Sequence, residues 1–138
     1  MPANLSLPDN QDFAVYGAGK AASAFLASFM ERVADVKVLC FIDSNQSGFF
    51  EDHPLLNFKE FKNKYGTDLP LVVASSYALE ILLALDKSSY KKIFLYNFLD
   101  NKLVADQEVC ELLQRLKAKE FELIIEDSRF AKIIAPFI

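Results

Sequence analysis

Apolar and polar positions along this chain follow two rhythms, and the switches between them predict its elements. Phe13-Ala14-Val15-Tyr16 is an unbroken apolar run that stops at Gly17. From Lys20 to Val33, the apolar residues Ala22, Phe25, Leu26, Phe29, Met30 and Val33 recur at the spacing of one helical face. A second run, Val36 to Ile42, ends at Asp43 and gives way to a polar loop, Ser44-Asn45-Gln46-Ser47, that reaches Gly48. Strand, tight turn, helix and strand together make one βαβ unit.

The same reading continues beyond that unit. Leu55-Leu56 predicts a brief edge strand, and Phe58 to Tyr65 a short helix closed by Gly66. Leu71-Val72-Val73-Ala74 reads as a buried strand, followed by a helix to about Leu85 with Ser76 as its N-cap and Glu80 in its first turns. Ile93-Phe94-Leu95-Tyr96 is the last predicted strand. Nearly continuous apolar strands that alternate with helices imply a parallel sheet covered on both faces. The expected fold class is therefore α/β, a Rossmann-like doubly wound parallel sheet in the order 3-2-1-4-5, with two extra C-terminal helices.

Those helices span Ala105 to Lys119, with Val109, Leu112, Leu113 and Leu116 on one side, and Glu120 to Ala135, which Pro136 stops. Glu126-Asp127-Ser128-Arg129 is either a polar break in the second helix or a junction of two shorter ones capped at Asp127 or Ser128. The apolar content here exceeds what one more layer on a small sheet requires, and points to a homodimer contact or a following catalytic domain. The expected organisation is a lead-in over 1–11, a nucleotide-binding domain over 12–100 and a helical extension over 101–138.

Composition narrows the classes of function. A chain of 138 residues, 52% hydrophobic and 25% charged, has the profile of one soluble globular domain. A net charge of -4 without a Lys/Arg-rich block argues against nucleic acid or an anionic membrane surface as the main partner. The N-terminus lacks a basic region followed by an apolar one, and the longest uncharged stretch, Leu69 to Leu79, is far shorter than a membrane span. A cytoplasmic location is expected. Cys40, Cys110 and the single histidine, His53, cannot assemble a zinc site from Cys and His alone, and both cysteines read as small core residues.

Chemistry concentrates at Gly17-Ala18-Gly19-Lys20-Ala21-Ala22, which fits the dinucleotide fingerprint. The first glycine makes the tight turn, the second lets the backbone approach a pyrophosphate, and a small third residue, here Ala22, allows close helix-to-strand packing. The unpaired N–H groups opening the following helix suit anionic phosphates, and Lys20 adds a cation. Asp43, at the end of the second strand, stands where the fingerprint places an acid for the ribose diol. No Arg or Lys follows Asp43 until Lys59, so a 2′-phosphate would meet a carboxylate uncompensated, which favours NAD over NADP. Nucleotide sugars and coenzyme A share the nucleotide half. Ser44 adjoins Asp43, and Ser75 and Ser76 face the same crevice, where they either touch the second half of a dinucleotide or cap a helix.

Other motifs fall away. A P-loop needs glycine at position 14 and Ser/Thr after Lys20, where Ala14 and Ala21 stand. Tyr16 and Lys20 have a Tyr-x-x-x-Lys spacing, but across a strand and a turn they cannot be presented as on successive helical turns. His53, before Pro54, has no partner acid set by spacing. The alternatives to a nucleotide-binding module are a ligand-free structural or dimerisation domain and a small NAD-dependent oxidoreductase.

The run Phe13 to Lys20, Val38 to Asp43, the Gly48 loop, Leu55-Leu56, Leu71 to Ser76 and Ile93 to Asn97 together resemble a small Rossmann-like module. It is similar to the nucleotide-binding domain at the front of FkbM-type methyltransferases and of several nucleotide-sugar and polysaccharide biosynthesis enzymes. The likeness covers about residues 12 to 98 and bears more on fold than on substrate. It implies Gly17, Gly19 and Asp43 as nucleotide contacts. Phe121 to Arg129 resembles the segment leading into an FkbM-type catalytic domain. In that family S-adenosylmethionine is bound by a separate following domain. The resemblance thus implies either a piece of a longer chain or a free-standing relative without methyltransferase activity.

Overall fold

In the computed structural model, residues 12–29, 37–66, 69–85, 92–119 and 121–137 are described. The lead-in over 1–11, and Met30 and Val33 of the first predicted helix, lie outside them. The strands are β1 (Phe13–Tyr16), β2 (Val38–Asp43), β3 (Gly48–Phe50), β4 (His53–Asn57), β5 (Leu71–Val73), β6 (Ile93–Asn97) and β7 (Lys102–Val104). The helices are α1 (Lys20–Ala24), running on as a π-helical turn over Phe25–Phe29, then α2 (Phe58–Tyr65) and α3 (Ala78–Ala84). After the sheet come α4 (Asp106–Lys117), α5 (Phe121–Glu126) and α6 (Ser128–Ile134).

The architecture is α/β around one mixed sheet of seven strands, ordered β3-β4-β2-β1-β5-β6-β7. This corrects the expected five-stranded, all-parallel 3-2-1-4-5 sheet. The strands β4, β2, β1, β5 and β6 pair in parallel, but an antiparallel strand is added at each edge, β3 on β4 and β7 on β6. Each addition has a local cause. Between β3 and β4, Phe50 pairs with His53 across Glu51 and Asp52, both at positive φ (45° and 67°), a two-residue hairpin turn whose hand matches the sheet twist. Between β6 and β7, Asn97 Oδ1 accepts the backbone N–H of Leu99 and Asp100, and Asn101 turns the chain at φ 52°.

The helix ends follow ordinary capping chemistry. Asn57 and Glu60 form a reciprocal capping box at the start of α2, which closes at Gly66. The N-cap of α3 is Tyr77, not the expected Ser76, because Ser75 Oγ accepts the Tyr77 N–H and delays helix entry by one residue. Of the two readings of Glu126 to Arg129, the junction holds: Asp127 accepts the Arg129 N–H and caps α6, separating it from α5, so the C-terminal extension has three helices and not two.

β1 is buried along its whole length, and its alternate side chains feed two cores. Ala14, Cys40, Val73 and Leu95 face Phe61 of α2, Leu79 and Leu82 of α3, and the inner faces of α4 and α6. Phe13, Val15, Phe41 and Tyr96 face Ala22 and Phe25, with Phe25 edge-on to Phe13 and Tyr96 at ring-centroid distances of 6.1 and 5.2 Å. Val109, Leu112, Leu113, Leu116, Ile124, Phe130, Ile133 and Ile134 are all buried within the chain. These eight pack into the core, whereas Ile125 of α5 is 56% exposed.

Cys40 is fully buried, and desolvation pushes its thiol from an ordinary value near 9.0 up to about 11, against a smaller opposing pull from Lys64. Between those two values the unfolded chain has lost a proton that the folded chain keeps, so stability falls as pH rises through that window. We expect Cys40→Ala to remove about 2 kcal/mol of that alkaline loss, seen as a shallower decline of urea stability between pH 9 and pH 11. A decline of equal slope in wild type and variant would contradict this.

Candidate functional site

At the carboxyl ends of β1, β2 and β5 the chain opens a cleft of about 1030 Å³. Three walls define it. Gly17 to Ala21 and Ala24, leaving β1, form one; Ile42, Asp43 and Ser44, ending β2, form the second. The third follows β5 with Ser75, Ser76, Tyr77, Glu80, Ile81 and Ala84, and Phe98 borders it after β6. The space exists because β1 sits between β2 and β5, while α1 leaves toward one face of the sheet and α3 packs on the other.

The two glycines have different reasons to be glycine. Gly17 has φ +138°, its N–H donates to the Ile42 carbonyl at 2.9 Å, and an added Cβ would stand 2.0 Å from the Ala74 carbonyl oxygen. The Ala74 N–H in turn donates to the Tyr16 carbonyl at 2.9 Å, so β1 and β5 stay paired right up to the turn. Gly17 is thus demanded by the chain itself. Gly19, the N-cap of α1, faces no such demand: its φ is -130°, and nothing lies within 4 Å of the position a Cβ would take. The open space over Gly19 belongs to the cleft.

Asp43 is oriented rather than loosely exposed. Its Oδ2 accepts the backbone N–H groups of Asn45 and Gln46, both at 2.9 Å, which leaves Oδ1 outside both bonds. Next to it, the hydroxyls of Tyr16 and Ser44 lie 3.2 Å apart. On the opposite wall, Ser75 Oγ accepts the Tyr77 N–H at 3.0 Å. Lys20 is the one cation among the described lining residues, against the carboxylates of Asp43 and Glu80.

The structure brings all eight sequence-picked positions together around this cleft: Gly17, Ala18, Gly19, Lys20, Asp43, Ser44, Ser75 and Ser76. Sequence reasoning missed the α3 wall, above all Tyr77 and Glu80. The available signal was position: residues in the first turn after a strand's carboxyl end belong to the same crevice as the strand's last residues. His53 lies elsewhere, in the β3–β4 hairpin, with Nδ1 2.8 Å from the Glu51 carbonyl and its ring edge-on to Phe41. Neither cysteine lines the cleft.

Among the described residues, no group of three or more His, Cys, Asp and Glu side chains is arranged to hold a metal ion. Also among them, no helix is long and apolar enough to cross a membrane. Comparison with known protein families, with curated proteins and with solved structures finds no match to this chain.

Proposed function

We propose that this chain is a nucleotide-binding module with a Rossmann-like core. It holds NAD, or a nucleotide sugar in the same place, and serves a sugar-modifying or methyltransferase-type enzyme without carrying a complete active site. One observation carries the reading: neither packing nor backbone strain requires a glycine at Gly19, and the volume its missing side chain leaves open is part of the cleft at the strand ends. A ligand backbone-close enough to exclude a methyl group explains it.

The rest of the lining fits such a ligand. A cleft of about 1030 Å³ is at the upper end of what small-molecule sites provide and accommodates a dinucleotide. Phosphates would rest against the backbone of Gly17 to Gly19, with Lys20 as counter-charge. Asp43, held in place through Oδ2, would accept the ribose hydroxyls on Oδ1, and its charge disfavours a 2′-phosphate. Among the described residues the titratable side chains in the lining are Tyr16, Lys20, Asp43, Tyr77 and Glu80, a set suited to binding more than to proton transfer between matched partners.

Titration calorimetry with NAD, UDP-glucose and coenzyme A tests the reading. NAD should bind, and Asp43→Ala should weaken it at least about tenfold by removing a charged acceptor of two hydroxyls. Asp43→Asn retains an acceptor for the Asn45 and Gln46 N–H groups and separates loss of the ribose contact from loss of the loop. No heat from any of the nucleotides would refute the proposal.

A further inference from the structure

The cleft is chemically uneven, and the unevenness names the second half of the ligand. β2 lies on one side of β1 and β5 on the other, so the Asp43 wall and the α3 wall stand on opposite sides of the Gly17 turn. The Asp43 wall is polar. Among the described residues, the α3 wall presents Ile81 and Ala84, Tyr77 at 70% exposure, and the exposed carboxylate of Glu80, with no cation. Tyr77 is the N-cap of α3 and Glu80 stands in its first turn, and both line the cleft. The Tyr77 N–H bond to Ser75 Oγ fixes the backbone from which the ring projects.

A large exposed aromatic ring bordering a cleft, beside a carboxylate, is a seat for a flat cation. The π-face attracts positive charge, and the neighbouring carboxylate adds to that attraction. We infer that Tyr77 and Glu80 form the seat for a planar cationic ring and make the cleft selective for the oxidised, pyridinium form of a nicotinamide dinucleotide over its reduced form. The inference rests on the proposed nucleotide site and assigns the residues that read the ligand's far end. The adenosine half lies toward Asp43 and the phosphates at the Gly17 turn. The pyridinium ring stacks on Tyr77, with Glu80 supplying the counter-charge that Lys20, beside the phosphates, does not.

The test compares ADP-ribose, NAD⁺ and NADH by calorimetry at low ionic strength, where a half-exposed charge is least screened. NAD⁺ should bind about fivefold tighter than NADH, the scale of one exposed charge interaction. Glu80→Gln should bring the two within about twofold. NAD⁺ should also bind about tenfold tighter than ADP-ribose, which lacks the ring. Tyr77→Ala should erase that gain while leaving ADP-ribose unchanged, and Tyr77→Phe should restore it. ADP-ribose binding as tightly as NAD⁺, or NADH binding as tightly as NAD⁺, would overturn the inference while leaving the nucleotide site standing. Failure of ADP-ribose itself to bind would remove both.

Discussion

Gly17→Ala should lower the melting temperature by more than about 10 °C, whereas Gly19→Ala should leave it within about 4 °C. The difference follows from what each Cβ would meet. At Gly17 the backbone is at φ +138°, and the new atom would lie 2.0 Å from the Ala74 oxygen and 2.8 Å from its carbonyl carbon. Both are main-chain atoms of a residue whose own N–H is bonded to Tyr16, so neither can give without unpairing β1 from β5. Positive-φ strain of about 1–3 kcal/mol adds to an overpacking cost of similar size, and a loss of about 4 kcal/mol in a domain this long corresponds to the stated shift. At Gly19 neither term exists, and only the modest preference of a helix N-cap for glycine over alanine remains. The same Gly19→Ala protein should bind NAD at least about tenfold more weakly, because its methyl group enters the space the ligand backbone would use. Differential scanning calorimetry and a NAD titration on the two variants measure both halves. Equal thermal losses would show that Gly19, too, is structural, and would take away the observation on which the proposed function stands.

The cleft was legible in the sequence because its makers are local signals: a glycine pair after an apolar run, an acid ending the next run, a serine pair ending a third. Each sits at a strand's carboxyl end, so the parallel alternation that predicts the sheet also predicts that they meet. The edge strands were illegible for the opposite reason. β3 is three residues long and none of them is buried, so it shows no pattern of burial. Its turn uses Glu51 and Asp52 at positive φ, where the usual hairpin signal is Asn-Gly or Asp-Gly. β7 lies in a stretch that the helical pattern beyond it overshadows, and the turn that brings it back is set by Asn97, a buried side chain whose contacts include the Lys132 carbonyl of α6. Asp100-Asn101 marks a turn before Lys102 but does not by itself announce a strand that pairs back onto β6. Tyr77 and Glu80 were missed because a tyrosine and a glutamate near a helix start carry no motif until the cleft beside them is seen.

Phe130→Ala should destabilise the protein by about 3–5 kcal/mol, and its unfolding should remain a single transition. Phe130 is fully buried on α6, and the guanidinium groups of Arg129 and Arg115 stand 4.2 and 4.9 Å from its ring centroid. Truncation therefore removes a whole aromatic side chain from the core and the face over which two cations sit. Phe130→Leu keeps most of the apolar volume and loses only that face, so it should cost about 1 kcal/mol. The surrounding ion pairs, Arg115 with Asp127 and Arg129 with Glu111, are between a quarter and a half exposed and add little of their own. Ile125→Ala is the contrasting case, at 56% exposure on the neighbouring α5, and should fall within about 0.5 kcal/mol of wild type. The single transition is the informative part. Phe130 belongs to one cluster with Ala14, Val73, Ile93 and Leu95 of the central strands, so loosening α6 uncovers the sheet that forms the cleft. Far-ultraviolet and near-ultraviolet circular dichroism in urea should give coincident midpoints in wild type and variant, both shifted together by the mutation. If α4 to α6 were an appendage, Phe130→Ala would instead melt them first and leave the sheet's midpoint where it was.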